Sequence, residues 1–168
     1  AQATLLIKAG CFDSITGELT RPALLWRLFA SQAAKTPGYL PIPAEYSLQQ
    51  KLHHELELFG FPLSCHPLEL FKDILARIPH IPAKDLAQHV GEQVTVIGWL
   101  VTEKIISTKK GEPMEFITLE DQTSLYDATL FPQTYRRYCH LLATNQAYVV
   151  TGRVEEQFST VTLTVREL

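Results

Sequence analysis

Lys109 and Lys110 stand side by side in ISTKKGEPMEFITLEDQ (106–122), between two runs that alternate apolar and polar residues. Gly111 and Pro113 mark a turn there. Two ammonium groups on a turn tip suit a phosphate backbone, held by charge and weakened by salt. Phe116 and Thr118 lie two apart in the second run, so a strand turns them to one face. They offer a ring for base stacking, worth roughly 1–3 kcal/mol per base, and a hydroxyl. Lys104, Thr108, Arg153 (after Gly152) and Phe158 in a later turn extend the same chemistry. The bland readings stand beside it. Charged hairpin tips serve solubility, and Glu103, Glu112 and Glu115 offset the lysines. Phe158 can tuck into a rim, and Arg136 and Arg137 suit a solvated helix face.

Other chemistries find less support. A two-metal nucleotidyl transferase needs converging carboxylates, often as Asp-x-Asp, and no such pair occurs. Glu120-Asp121 and Glu155-Glu156 are neighbours on strand ends and face opposite ways. Neither GxxxxGK[ST] nor GxSxG is present. His53, His54, Cys65, His66, His80 and His89 match no zinc spacing. His66 before Pro67 suits a helix start. The residues therefore predict no catalytic group, metal or cofactor.

The chain has 168 residues, 46% hydrophobic and 20% charged, with net charge -3. That is enough apolar material for a core. No run reaches the ~20 apolar residues of a membrane helix. There is no signal-peptide pattern, and a first residue other than Met reads as a fragment of something longer. Cys11, Cys65 and Cys139 are far apart, which predicts reduced, mostly buried thiols in a cytoplasmic protein. Residues 1–89 carry 8 basic and 8 acidic groups, and residues 90–168 carry 7 and 10. A polyanion site must therefore be local.

The elements follow from periodicity. Two helices fill 1–35, the first closed by Gly10, the second capped by Thr20 with Leu24, Leu25, Leu28 and Phe29 as its apolar face. Residues 36–46, rich in proline, read as a linker. Ser47 and Gln50 form a capping box opening a helix to Gly60, with Leu48, Leu52, Leu56 and Phe59 as its stripe. A further helix starts at Pro67 and carries Leu68, Phe71, Leu75 and Ile78. From residue 90 the period becomes two. Strands are expected at 94–108, 114–121, 124–131, 147–158 and 161–168, with a short helix at 133–143. Gly98 inside the first run predicts a bulge or bend. The order β-β-β-α-β-β is that of a five-stranded OB-fold barrel. The fold class is α+β, a helical N-terminal part followed by this barrel.

Three blocks then resemble one family: LLIKAGCFDSI, ELELFGFPLSCHPLELF, and the run from GWLVTEKIISTKKGEPM through LFPQTYRRY to VTLTVREL. Together they resemble the C-terminal region of the bacterial replicative DNA polymerase III alpha subunit, over nearly the whole chain. The resemblance implies that 1–35 are the helical end of a duplex-binding subdomain, 47–89 a helical connector and 90–168 the OB domain near single-stranded template. It also implies duplex DNA as a partner of the N-terminal helices and other replisome subunits as partners of the rest. The catalytic domains and their magnesium would lie outside these residues. Cys65 and Ser124 stand where the family usually has glycine, and Ser124 would then need a positive φ. The family's clamp-binding pentapeptide finds its nearest counterpart in Glu55–Phe59, which would give Leu56, Leu58 and Phe59 a clamp role. The same residues suit an ordinary helix core. Two rival readings remain: a tRNA anticodon-binding OB domain, and a module docking the clamp, clamp loader or single-stranded DNA-binding protein.

Overall fold

The computed structural model describes residues 2–32, 42–157 and 160–168. Phe158 and most of the 36–46 linker lie outside them. The chain forms two compact units, Ala1–His66 and Pro67–Leu168. The division falls inside the segment read as one connector.

In the first unit, α1 (Gln2–Lys8), α2 (Arg21–Gln32) and α3 (Leu48–Phe59) follow their end signals. Gly10 closes α1 at φ 80°, with the Cys11 N–H bonded to the Leu6 carbonyl. The open side of Gly10 also admits the Arg21 guanidinium, whose Nη2 would sit 2.2 Å from an added Cβ. Arg21 is buried and binds Asp13 through Nε and Nη2, the latter at 2.7 Å, and the Lys8 carbonyl. Thr20 caps α2 through the Ala23 N–H. The Ser47–Gln50 box caps α3. Glu55, 1% exposed, accepts from the Leu63 and Ser64 N–H groups and the Ser64 hydroxyl. Burial pushes its carboxyl up, but these bonds more than offset that and hold it below its ordinary range. Two apolar faces differ from expectation. Leu25 and Leu52 are buried, but Phe29, Leu48 and Phe59 are exposed. The thiols differ too, since Cys11 is exposed and Cys65 and Cys139 are half-buried.

In the second unit the predicted single helix after Pro67 is broken. A 3-10 turn spans Pro67–Phe71, α4 covers only Lys72–Leu75, and a second 3-10 helix covers Ala83–His89. Then come β1 (Gln93–Ser107), β2 (Pro113–Glu120), β3 (Leu125–Leu130), α5 (Pro132–Tyr138), β4 (Ala147–Gln157) and β5 (Thr160–Glu167). The strands close a barrel in the order β1-β2-β3-β5-β4. Its core follows the period of two: Val96, Leu100, Ile117, Leu119, Ala128, Leu130, Val150, Val154, Leu163 and Val165 are at most 1% exposed. A side chain of Leu or Val size buried this fully contributes about 1.5–3 kcal/mol.

No bulge falls at Gly98, whose pairing with Tyr148 is regular. The irregularity falls between Leu100 and Thr102. At Gly98 the missing Cβ instead makes room for the Tyr126 hydroxyl and Leu119, 2.6 and 2.7 Å from where it would stand. Burial pushes that hydroxyl well up from its ordinary range. Ser124 needs no positive φ, because Asn145 is the only described non-glycine residue there.

The β2–β3 turn is organised by Asp121. Its carboxylate accepts from the N–H groups of Ala83, Thr123 and Ser124 and from the Thr123 hydroxyl, at 2.6–2.9 Å. Burial works against the charge, but these bonds prevail and the carboxyl lies below its ordinary range. A depressed carboxyl adds stability that is present above its unfolded value and fades as pH falls through its folded one. Asp121→Ala is expected to cost about 2 kcal/mol near neutrality, the worth of bonds to a charged group. The difference from wild type should shrink in acid, as followed by urea titration across pH. An equal loss at all pH values would mean the carboxylate charge plays no part.

Candidate nucleic-acid interface

The strand register sorts the barrel's outer face into rows. Lys104 pairs with Phe116, Phe116 with Thr129, Thr129 with Thr164, and Thr164 with Arg153. Across the β1–β4 seam Arg153 pairs with Gln93. One row thus carries a cation at each end, a phenylalanine ring and two threonines, of which Thr129 is buried. At about 4.8 Å per strand, Lys104 and Arg153 stand about 19 Å apart along the curved sheet. Phe116 is 42% exposed on this face. The next row holds Thr102, Thr118, Asp127, Thr162 and Glu155. Thr118 donates its hydroxyl to Asp127 Oδ1 at 2.7 Å.

Two hairpins flank these rows from opposite sides. Beyond the Lys104 row, β1 and β2 run on to the lysine turn. Beyond the Asp127 row, β4 and β5 run on to Gln157 and Thr160. Thr108 builds the lysine turn: its N–H binds the Glu112 carbonyl, its carbonyl accepts from Gly111 N–H and its hydroxyl from Glu112 N–H. Gly111 takes φ 78°. Lys109 and Lys110 are both exposed.

Two of the three glutamates expected to offset the lysines are engaged elsewhere, and Glu103 stays exposed. Glu112 Oε1 meets Arg136 Nη2 at 2.7 Å, so the arginine read as solvated neutralises it. Glu115 points inward with Ile117 and Leu119 and is 3% exposed. Burial, with Glu103 adding, pushes its carboxyl above the ordinary range. Its Oε2 is buried without a hydrogen-bond partner. Such a group lowers stability as pH rises from its unfolded value to its raised folded one, because the folded state resists ionisation. Glu115→Met is expected to stabilise the barrel by about 1–2 kcal/mol near pH 7, the cost of a buried unsatisfied polar group. The gain should diminish towards pH 4, where the wild-type carboxyl is protonated in both states. A gain independent of pH would show that packing, not charge, is responsible.

The predicted site residues therefore fall into three sets. Lys104, Phe116 and Thr118 lie on neighbouring strands of the barrel's outer surface, and Arg153 lies on β4, at the far end of a row that crosses all five strands. Thr108, Lys109 and Lys110 form the adjoining turn. Phe158 lies outside the described residues. Sequence reasoning passed over Asp127, Thr129 and Thr164, which the register brings into the rows. Asp127 in LYDATL did leave a signal, a charge at an outward position of a strand. Leu56, Leu58 and Phe59 lie on α3, Leu56 and Leu58 half-buried, and Phe59 packs its ring near Phe61 at 6.1 Å. No group of three His, Cys, Asp or Glu residues is placed to hold a metal among the described residues. None of the described helices is long and apolar enough to cross a membrane.

Residues 94–168 match the family model of the tRNA anticodon type of OB-fold nucleic acid binding domain. The chain is 32% identical to an error-prone DNA polymerase of Symbiobacterium thermophilum over 80% of its own length and 13% of that polymerase. It is 29% identical to the DNA polymerase III alpha subunit of Aquifex aeolicus over 92% of its length and 14% of that subunit. The Haemophilus influenzae alpha subunit is 34% identical over 73% of the chain and 11% of the subunit. The chain is a homologue of one segment of the DNA polymerase III alpha subunit. It spans roughly an eighth of these relatives, a segment that contains the OB-fold barrel. A solved OB-fold domain of replication protein A from Methanococcus maripaludis is 19% identical, with a TM-score of 0.36, over 46% of this chain and 82% of that one.

Proposed function

We propose that this chain is a noncatalytic part of a bacterial replicative DNA polymerase whose OB barrel holds single-stranded template during replication in the cytoplasm. The observation that carries the reading is the row Lys104–Phe116–Thr129–Thr164–Arg153, beside a turn that presents Lys109 and Lys110. Cations at the row's ends suit phosphates several nucleotides apart, and the ring between them suits a base. The N-terminal helices would touch duplex DNA and other surfaces would meet replisome subunits. Polymerase chemistry and its metal ions would belong to other parts of the parent protein.

A second reading, a barrel that docks replisome proteins, is favoured by an apolar groove of about 400 Å³ that includes Phe71, Ile74, Trp99, Tyr148 and Val149. Fluorescence anisotropy with a labelled oligonucleotide separates the two. The nucleic-acid reading expects saturable, salt-sensitive binding that Lys109→Glu with Lys110→Glu weakens. A folded wild-type chain that leaves anisotropy unchanged at low salt would favour docking.

A further inference from the structure

We infer that Asp127 gives this face a base preference, favouring cytosine over thymine. The inference rests on the single-strand reading above and deepens it. Asp127 is exposed in the second row, diagonally beside Phe116. Diagonal neighbours on adjacent strands stand about 7–8 Å from each other, within reach of the edge of a base stacked on that ring. The Thr118 hydroxyl donates to Oδ1 and fixes the carboxylate. Oδ2 is left to accept another hydrogen bond.

A carboxylate in this position repels phosphate, so a strand whose base stacks on Phe116 is expected to keep its backbone on the Lys104 side and to turn the base edge towards Asp127. An ionised carboxylate only accepts. Cytosine offers the N4 amino group, the established partner of aspartate among pyrimidine edges. Thymine offers O4 there, and its N3–H lies between two carbonyl oxygens that repel a carboxylate. Unpaired bases expose these edges to protein. Phe116 stacks on either base, so the discrimination falls to Asp127.

The test is anisotropy with labelled dC and dT oligonucleotides of equal length, at pH 7 and fixed salt. Wild type is expected to bind dC about five-fold tighter, the scale of one exposed charge-assisted hydrogen bond. Asp127→Asn keeps shape and an oxygen for Thr118 but presents an amide donor, and is expected to remove or reverse the preference. Thr118→Val, which frees the carboxylate while keeping its charge, is expected to reduce the preference. Equal binding of dC and dT by wild type would overturn the inference and leave the single-strand reading standing. So would a preference that survives Asp127→Asn. Binding of neither oligonucleotide would overturn both.

Discussion

Gly152→Ala is expected to lower stability of the barrel by about 3 kcal/mol, at the upper end of the cost of overpacking. For a unit of this size that is a fall in Tm of roughly 15 °C. The cause is close approach rather than backbone conformation. A Cβ on Gly152 would stand 2.5 Å from the Thr164 carbonyl oxygen and 2.9 Å from Leu163 Cγ. The β4–β5 register also shifts between Thr151 and Gly152. A backbone oxygen cannot rotate away, and relief must come from parting β4 from β5. That would break pairs holding Arg153 against Thr164. Gly98→Ala is expected to cost somewhat less, because one of its two close neighbours, the Tyr126 hydroxyl at 2.6 Å, can swing away, while Leu119 Cβ at 2.7 Å cannot. Thermal unfolding followed by circular dichroism gives the order. Wild-type stability in Gly152→Ala would rule out the close approach.

The comparison of these two glycines also shows what a single sequence can express. A glycine inside a strand signals a bend, a bulge or a close approach; that signal was read at Gly98 and passed over at Gly152. Whether it marks a bend or a close contact depends on residues far away in the chain: Tyr126 and Leu119 for Gly98, Thr164 and Leu163 for Gly152. The barrel itself was readable because period-two patterns and turn residues are local. Ile117 and Leu119 inward with Phe116 and Thr118 outward follows from alternation alone. The helical segment after Pro67 was less readable. Leu68, Phe71, Leu75 and Ile78 keep helical spacing, but Ile97 and Trp99 are covered on the barrel's outer face, and short 3-10 turns fit beside them.

The candidate site was half legible for the same reason. The lysine turn and the outward phenylalanine are local features. The rows are not, because they need the register of four strand pairs, one of them the parallel β3–β5 contact. Charge balance was misjudged on sequence distance. Glu112 and Glu115 are near the lysines in the chain, yet one is paired with Arg136 and the other is turned into the barrel. A net charge of -3 therefore coexists with a lysine tip near which Glu112 is paired and Glu115 buried, while Glu103 stays exposed.

The binding prediction divides the interface into two kinds of contact with different signatures. Each ammonium held against a phosphate displaces counterions, and for single strands log K falls with log salt by about 0.7 per contact. Lys109→Glu with Lys110→Glu is expected to flatten that slope by about 1.4 if both lysines touch phosphate, with the largest loss of affinity at low salt. Phe116→Ala removes a stacked ring and no charge. It is expected to weaken binding by roughly 1–3 kcal/mol, about 5- to 150-fold, at every salt concentration and with the slope unchanged. The two effects should add when combined, since the turn and the ring lie several residues apart along the hairpin. Anisotropy titrations from 20 mM to 300 mM salt, read as order-of-magnitude conditions around the range where such binding is screened, give slope and intercept separately. A slope that survives the double lysine change would move the phosphate path off the β1–β2 turn and onto Lys104 and Arg153. Affinity that survives Phe116→Ala would leave a purely electrostatic surface, and the outer row would lose the ring that distinguishes it from any other positively tipped barrel.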